Sequence, residues 1–263
     1  MKSTAKTIAM ILIWLVFAVA CSQASPLSTG TPTPTDESIT LQYIGHSCFK
    51  LSISGGPTII MDPYQSMNAP REIAQFPAGL SADFVTISHF HPDHSNILGI
   101  EGDPKAFIES GVYQAGSVNL TGYQGDHGLI DGEPSGENTV FVFEIGDIKI
   151  VHMGAAGLVT QEDILASIKG AEVITFDADA SDRHPVAEML DQLKQSHVRT
   201  VILTHYSFSE DARYYGAPTI DSFLDMLPAD QLVIMEDRSE IKVTEDMPEQ
   251  ILVLTPLALS MQE

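Results

Sequence analysis

Positive charge is scarce in this chain. Its 263 residues hold 13 lysines and arginines against 35 aspartates and glutamates, a formal net charge of −22. The bases form no segregated cluster, so nothing offsets the repulsion between an acidic surface and nucleic-acid phosphates. No nucleic-acid partner is expected. Cysteine is scarcer still, with only Cys21 and Cys48. If Cys21 is consumed at a processed N-terminus, Cys48 stands alone and no intramolecular disulfide stabilises the domain. A bilayer-spanning apolar run is also missing at the N-terminus: Thr7 to Ala20 gives 14 residues, where a membrane helix needs roughly 20.

That run follows Lys2 and Lys6 and ends at "AVAC", the profile of an export leader. The small residues before Cys21 resemble a bacterial lipobox, with Ala18 where that motif usually has Leu or Val. The expected organisation is a signal peptide over residues 1–21, a Ser/Thr/Pro-rich tether over 22–38 and a folded domain over 39–263. Lipidation of Cys21 would make the protein a membrane-anchored lipoprotein of a bacterial cell envelope, touching the membrane only through its anchor; ordinary secretion is the alternative. Cleavage removes two lysines and no acids, leaving 11 bases against 35 acids and a charge of −24.

From residue 39 the chain alternates β-type runs with turns: "ITLQYIG", "SCFKLSI", "PTIIMDP" and "ADFVTIS". "TVFVFEI" and "IKIVHMG" follow, joined at Gly146-Asp147, a hairpin turn signal. The pattern then changes. Residues 161–170, "QEDILASIKG", are acid-first and end in lysine and glycine, as a short helix should. Residues 184–197 place Val186, Met189, Leu190 and Leu193 on one helical face, and "TIDSFLDMLP" is a third helix candidate. "VITFD" and "TVILTH" read as strands between them, and the apolar runs "QLVIM" and "QILVLTPLAL" follow the last. Strands first, then helices alternating with strands, predict two sheets with helices outside.

The densest chemistry is "ISHFHPDHS". His89, His91, Asp93 and His94 fall within six residues directly after a buried strand. If strand geometry persists one step, His89 and His91 point the same way, and Pro92 turns the chain to bring Asp93 and His94 into the same space. Three imidazoles and a carboxylate suit a borderline-soft divalent metal. Nine histidines in 263 residues make such clustering improbable by chance.

This H-x-H-x-D-H motif resembles the signature of the metallo-β-lactamase superfamily. "YIGHSCFKL" with "TIIMDP", "GENTVFVFEIGDIKIVHMG" and "VILTHYS" resemble successive parts of its L-ascorbate-6-phosphate-lactonase-like branch, over roughly residues 40 to 210. The resemblance implies a four-layer αβ/βα sandwich, two mixed β-sheets with outer helices and a metal site at the sheet ends. It also implies that His89, His91 and His152 hold one metal while Asp93, His94 and His205 hold a second. Zn2+, one or two per chain, is the expected ion, with Mn2+ or Fe2+ suiting the same ligands. His46 and Asp62 match positions beside the site, Asp62 as acceptor of a ligand histidine's free N–H or as the cap of a turn. His127, eleven residues before Asn138, matches a histidine of that branch and faces either substrate or solvent. His184 and His197 sit at the two ends of a helix, where capping or exposure explains them.

One position departs from the pattern. After the counterpart of His152 the family usually reads H-x-G-D, with an aspartate bridging both metals; here "HMGAAG" puts Ala155 in that place. Asp177, Asp179 and Asp182 in "FDADASD" offer carboxylates nearby, but such a run is more often an acidic surface loop. Three protein ligands per metal still suffice for a catalytic zinc. The expectation is therefore a metal-dependent hydrolase using a metal-activated hydroxide on a small-molecule lactone, ester, amide or phosphoester. Asp93 would orient the attack or shuttle its proton, and His127 or Tyr206 would assist the leaving group. The alternative, motivated by Ala155, is a degenerate surface lipoprotein that binds a metal or small ligand without turnover.

Overall fold

The computed structural model describes residues 38–67, 73–130, 133–134, 136–179, 186–207, 219–227, 229 and 231–260. The expected signal peptide and most of the tether, through residue 37, lie outside them, as do Asp182 and His184. In chain order the elements are β1 (Ile39–Gly45), β2 (Cys48–Ile53), β3 (Thr58–Met61), β4 (Phe84–Thr86), β5 (Lys105–Phe107), β6 (Gly111–Ala115), β7 (Val118–Asp126), β8 (Leu129–Ile130), β9 (Glu133–Pro134), β10 (Glu137–Ile145) and β11 (Ile148–His152). The second half continues with α1 (Glu162–Ile168), β12 (Val173–Asp177), α2 (Val186–Gln195), β13 (Thr200–Thr204), α3 (Ile220–Leu224), β14 (Val233–Glu236), β15 (Glu240–Val243), β16 (Gln250–Leu254) and α4 (Leu257–Ser260).

All of the described strands but β8 and β9, which pair with each other, build two mixed sheets. One runs β15-β1-β2-β3-β4-β5 and the other β14-β16-β13-β12-β11-β10-β7-β6. In the first, β1 buries Ile39, Leu41 and Tyr43 while Thr40 and Gln42 stay half-buried, the period-2 signature of a strand packed on one side. In the second, β12 and β13 are parallel neighbours and every residue of both is buried. A sheet covered on both faces accounts for that unbroken burial. The Gly146-Asp147 turn joins β10 to β11 with Ile145 opposite Ile148, and Gly146 adopts the left-handed φ of +60° that a two-residue hairpin requires.

Between the sheets, Leu41, Phe49 and Met61 share one apolar cluster with Phe141, Phe143 and Ile150. Ile164 and Ile168 of α1, and Val186, Met189 and Leu193 of α2, close the same core from the helical side. The other face of the first sheet presents Ile44, Cys48, Ile60 and Val85 to Tyr64, Ile73, Leu80 and Ile100. Two sheets with helices were expected and are observed. On this face, however, the described covering layer is mainly irregular chain, supplemented by Leu257 of α4.

Candidate metal centre

Strand ends deliver the polar side chains. His46 follows β1, Asp62 follows β3, the 88–94 loop follows β4, His152 and Asp177 end β11 and β12, and His205 follows β13. Four described non-glycine residues have left-handed backbone, and three of them are His46 (φ 56°), Asp62 (φ 45°) and His205 (φ 53°). Each such residue costs on the order of 1–2 kcal/mol, so the surroundings must hold it. They do: Tyr43 Oη donates to His46 O at 2.8 Å, the His205 N–H donates to the same carbonyl at 3.1 Å, and the Ser88 N–H donates to Asp62 Oδ1 at 2.7 Å.

Among the described residues two groups of ligand atoms result, each with all its atoms within 4.8 Å of one another. The first is His89, His91 and His127; the second is His46, Asp93, His94 and His205. In the first, His89 Nε2 lies 3.0 Å from His91 Nδ1, and the His127 ring centroid lies 4.5 Å from that of His89 and 4.9 Å from that of His91. In the second, His94 Nε2 faces His205 Nε2 at 3.1 Å, His46 Nε2 is 3.0 Å from Asp93 Oδ2, and the His46 and His205 rings are 4.1 Å apart. A backbone hydrogen bond from His94 N to His91 O, 2.9 Å, makes the turn at Pro92 that brings Asp93 and His94 round.

Behind these groups stand two buried carboxylates. Asp62 Oδ2 is 2.8 Å from His94 Nδ1 and accepts from Ser88 Oγ. Asp62 therefore serves both a histidine and the turn at Ser88, combining the two roles its sequence position suggested. Asp177 Oδ2 is 2.8 Å from His205 Nδ1. Asp177 is buried at the end of a central strand, which overturns its reading as part of an acidic surface loop.

Other placements also differ from expectation. His152 does not join His89 and His91. It is fully buried, its Nδ1 is 3.2 Å from Thr175 Oγ1, and its Nε2 stands 2.9 Å from Asp62 Oδ2, a charge contact whose alignment leaves Nε2 without a hydrogen-bond partner. His127 takes its place beside the other two imidazoles, and His46, expected outside the ligand set, stands within the second group. The Tyr206 hydroxyl donates to Leu254 O at 2.6 Å, which directs it to β16 rather than to a leaving group. His197 is exposed after α2, as expected of a helix-end residue. Ala155 is buried, its N–H donating to Asn138 Oδ1 at 3.0 Å while Asn138 Nδ2 donates to Met153 O at 2.9 Å. Asn138 thereby clasps the turn that follows His152.

Burial dictates most of the protonation. It lowers His89 to about 2 and His46 to about 3, with neighbouring imidazoles adding to the effect. Burial and the His91 and His94 rings lower His127 to about 4. His205 differs: burial pushes it down, but the charge and hydrogen bond of Asp177 outweigh this and raise it to about 9. Burial alone would raise Asp62, yet the nearby His152 imidazole at 2.9 Å and the hydrogen bond and charge of His94 hold it well below the usual carboxylate range.

The first group opens on a cleft of about 810 Å³ lined by His89, His91 and His127 together with Phe90, Ile108, Glu109, Gln124 and Glu137. The second group contributes nothing to this lining. The donor set fits a divalent metal. Nitrogen atoms around a tetrahedral zinc with bonds of about 2.0–2.1 Å stand about 3.3 Å apart, close to the facing nitrogen pairs at 3.0 and 3.1 Å.

The sequence profile of the beta-lactamase superfamily domain matches residues 40–205. A protein of Polaromonas sp. named as a metal-dependent hydrolase is 22% identical over 243 residues, spanning 76% of this chain and 88% of its own. Among solved structures, one described as a Zn-dependent hydrolase of the metallo-β-lactamase superfamily from Thermotoga maritima superposes with a TM-score of 0.62 at 22% identity, over 82% of this chain and 98% of that one. An isothiocyanate hydrolase from Delia radicum gut bacteria gives a TM-score of 0.53 at 15% identity, over 81% and 95% of the two chains. These structural likenesses are likenesses of fold.

Proposed function

This chain belongs to the beta-lactamase superfamily, and from that premise we propose that it is a metal-dependent hydrolase of uncharged lactones, esters or amides. The observation that carries the reading is the cleft. It meets His89 and His91 directly, and apart from imidazoles its charged lining groups are Glu109 and Glu137. Among the described residues, no lysine or arginine lines it. A phosphoester or carboxylate substrate would meet repulsion of about 1 kcal/mol from each carboxylate at close range, a factor of about five in rate or binding. Phe90 and Ile108 offer apolar surface to an uncharged acyl group.

His89 and His91 would hold metal on the cleft side, and Asp93, His94 and His205 on the buried side. A divalent metal there, zinc first for so nitrogen-rich a set and Mn2+ or Fe2+ after it, supplies Lewis acidity and activates water near neutral pH. The protein's own part is orientation. Asp62 presents the Nε2 edge of His94, Asp177 that of His205, and His46 aligns the Asp93 carboxylate at 3.0 Å. Asp93, 15% exposed and two residues from the cleft-lining His91, would accept the proton released when water attacks.

The test is a matched panel of uncharged and anionic esters and lactones assayed with metal-loaded protein. Uncharged members should show the higher kcat/KM, and Glu109→Gln with Glu137→Gln should narrow the gap. Preference for phosphoesters would overturn the substrate class. A metal-loaded protein silent across the panel would favour the surface binder that Ala155 suggests.

A further inference from the structure

The cleft has two unlike walls. One comes from the first sheet, where β4 and β5 are parallel neighbours and the Ile87 N–H donates to Phe107 O at 3.0 Å. The loops that follow these strands set Phe90 and Ile108 on the cleft. Phe90 is 69% exposed, the one exposed aromatic side chain among the described residues, and Ile108 is 37% exposed. Apolar surface left open to water gains by being covered, about fourfold in affinity for each methylene group buried.

The other wall comes from the second sheet. Gln124 of β7 stands opposite Thr139 of β10, and directly paired residues of antiparallel strands share a face. Glu137 precedes Thr139 by two residues on β10 and so lies on that face as well. All three line the cleft. Their side-chain oxygens accept hydrogen bonds, and an ionised carboxylate such as that of Glu137 can only accept. The two walls meet at the base, where the Thr139 N–H donates to Ser88 O at 2.7 Å. Imidazoles span the join: His89 and His91 belong to the first wall, and His127 comes from the second, its ring centroid 4.5 Å from that of His89.

We propose that these walls orient the substrate: the acyl chain lies on Phe90 and Ile108, and the leaving group faces Gln124, Thr139 and Glu137. The preferred substrate therefore joins an apolar acyl chain of several carbons to an uncharged leaving group that carries hydroxyl donors. Phe90 and Ile108 set the specificity for acyl length. The proposal rests on the metal-hydrolase reading and adds to it which end of the substrate meets which wall.

The experiment uses full-length, metal-loaded protein and two ester series. In one, glycerol monoesters lengthen from acetyl to octanoyl; in the other, acetates of straight-chain alcohols lengthen from methyl to octyl. In the first series kcat/KM should rise about fourfold per methylene until the apolar wall is covered, and in the second it should stay flat or fall. Phe90→Ala combined with Ile108→Ala should flatten the first series. Both side chains are exposed, so the variant keeps its core and folds, which circular dichroism checks. Alkyl hydroxamates of the same acyl lengths ligate divalent metals and give a readout without turnover. Their affinities, measured by calorimetry, should climb with length in the wild type and not in the variant. Equal slopes in the two ester series, a steeper second series or an unflattened variant would overturn the proposal and leave the hydrolase reading standing. Hydroxamate affinities that climb with length on a protein that hydrolyses nothing would overturn the hydrolase reading and keep the apolar wall. Affinities independent of length would overturn the proposal whatever the esters show.

Discussion

Asp62 Oδ2 stands 2.8 Å from Nδ1 of His94, and this turns the opposite nitrogen of that ring toward His205 at 3.1 Å. Orientation of a ligand histidine by a buried carboxylate fixes its tautomer and raises its basicity. Asp62→Asn keeps the shape and removes the charge. It should weaken metal binding about 10- to 100-fold, read by competition with a chelator of known affinity. Metal-free stability should also fall by about 1–3 kcal/mol, because a buried donor loses its acceptor, read from the urea midpoint.

The metal-free protein should be sensitive to acid. His46, His89 and His127 are held at about 3, 2 and 4, below their ordinary value near 6.5. The unfolded chain takes up protons on these groups below about 6.5 and the folded chain does not, so their contribution is present above that pH and is lost as pH falls toward 4 and then 2. His205 has the opposite sign. Raised to about 9 by Asp177, it contributes fully below about 6.5, and its contribution is lost as pH rises through 9. Urea midpoints measured from pH 4 to pH 9.5 should therefore peak near neutrality, and Asp177→Asn should flatten the alkaline limb alone. An alkaline limb unchanged in that variant would contradict the assignment.

Gly154 fixes the turn between His152 and Ala155. Its φ is +60°, and a side chain there would collide with Ser88 and with Asn138 Oδ1. Gly154→Ala should cost about 2 kcal/mol or more, combining left-handed strain with overpacking. Thermal denaturation should show the loss, and Gly146→Ala, at a left-handed turn with open space around it, should lose less.

Much of the site was legible because it is contiguous. His89, His91, Asp93 and His94 lie on one loop, so spacing alone brings them together, and the runs that lead to His152 and His205 are rich in Ile and Val, as strands are. Grouping was not legible. Whether His152 or His127 stands beside His89 depends on how a loop folds back over a strand end, which no spacing encodes. Asp177 was misread because "FDADASD" is locally polar; its burial follows from β12 and β13 running parallel with Asp177 opposite Thr204, which places it next to His205. Strand β7 went unnoticed because Gly122 and Gly125 occupy buried positions where an alternating pattern would show apolar side chains. At Gly122 the carbonyl of Glu109 approaches too closely for any Cβ. Tyr206 drew attention by following His205, but its hydroxyl reaches Leu254 on the closing strand.

Metal dependence is the central claim, and reconstitution measures it most directly. Protein purified without added metal is analysed for bound ions, stripped with chelator, and titrated with Zn2+ while hydrolysis of an uncharged lactone or ester is followed on the same samples. Stripping should abolish hydrolysis, and activity should return as bound metal is restored. Hydrolysis that survives complete removal of metal, or a protein that takes up none, would contradict the account.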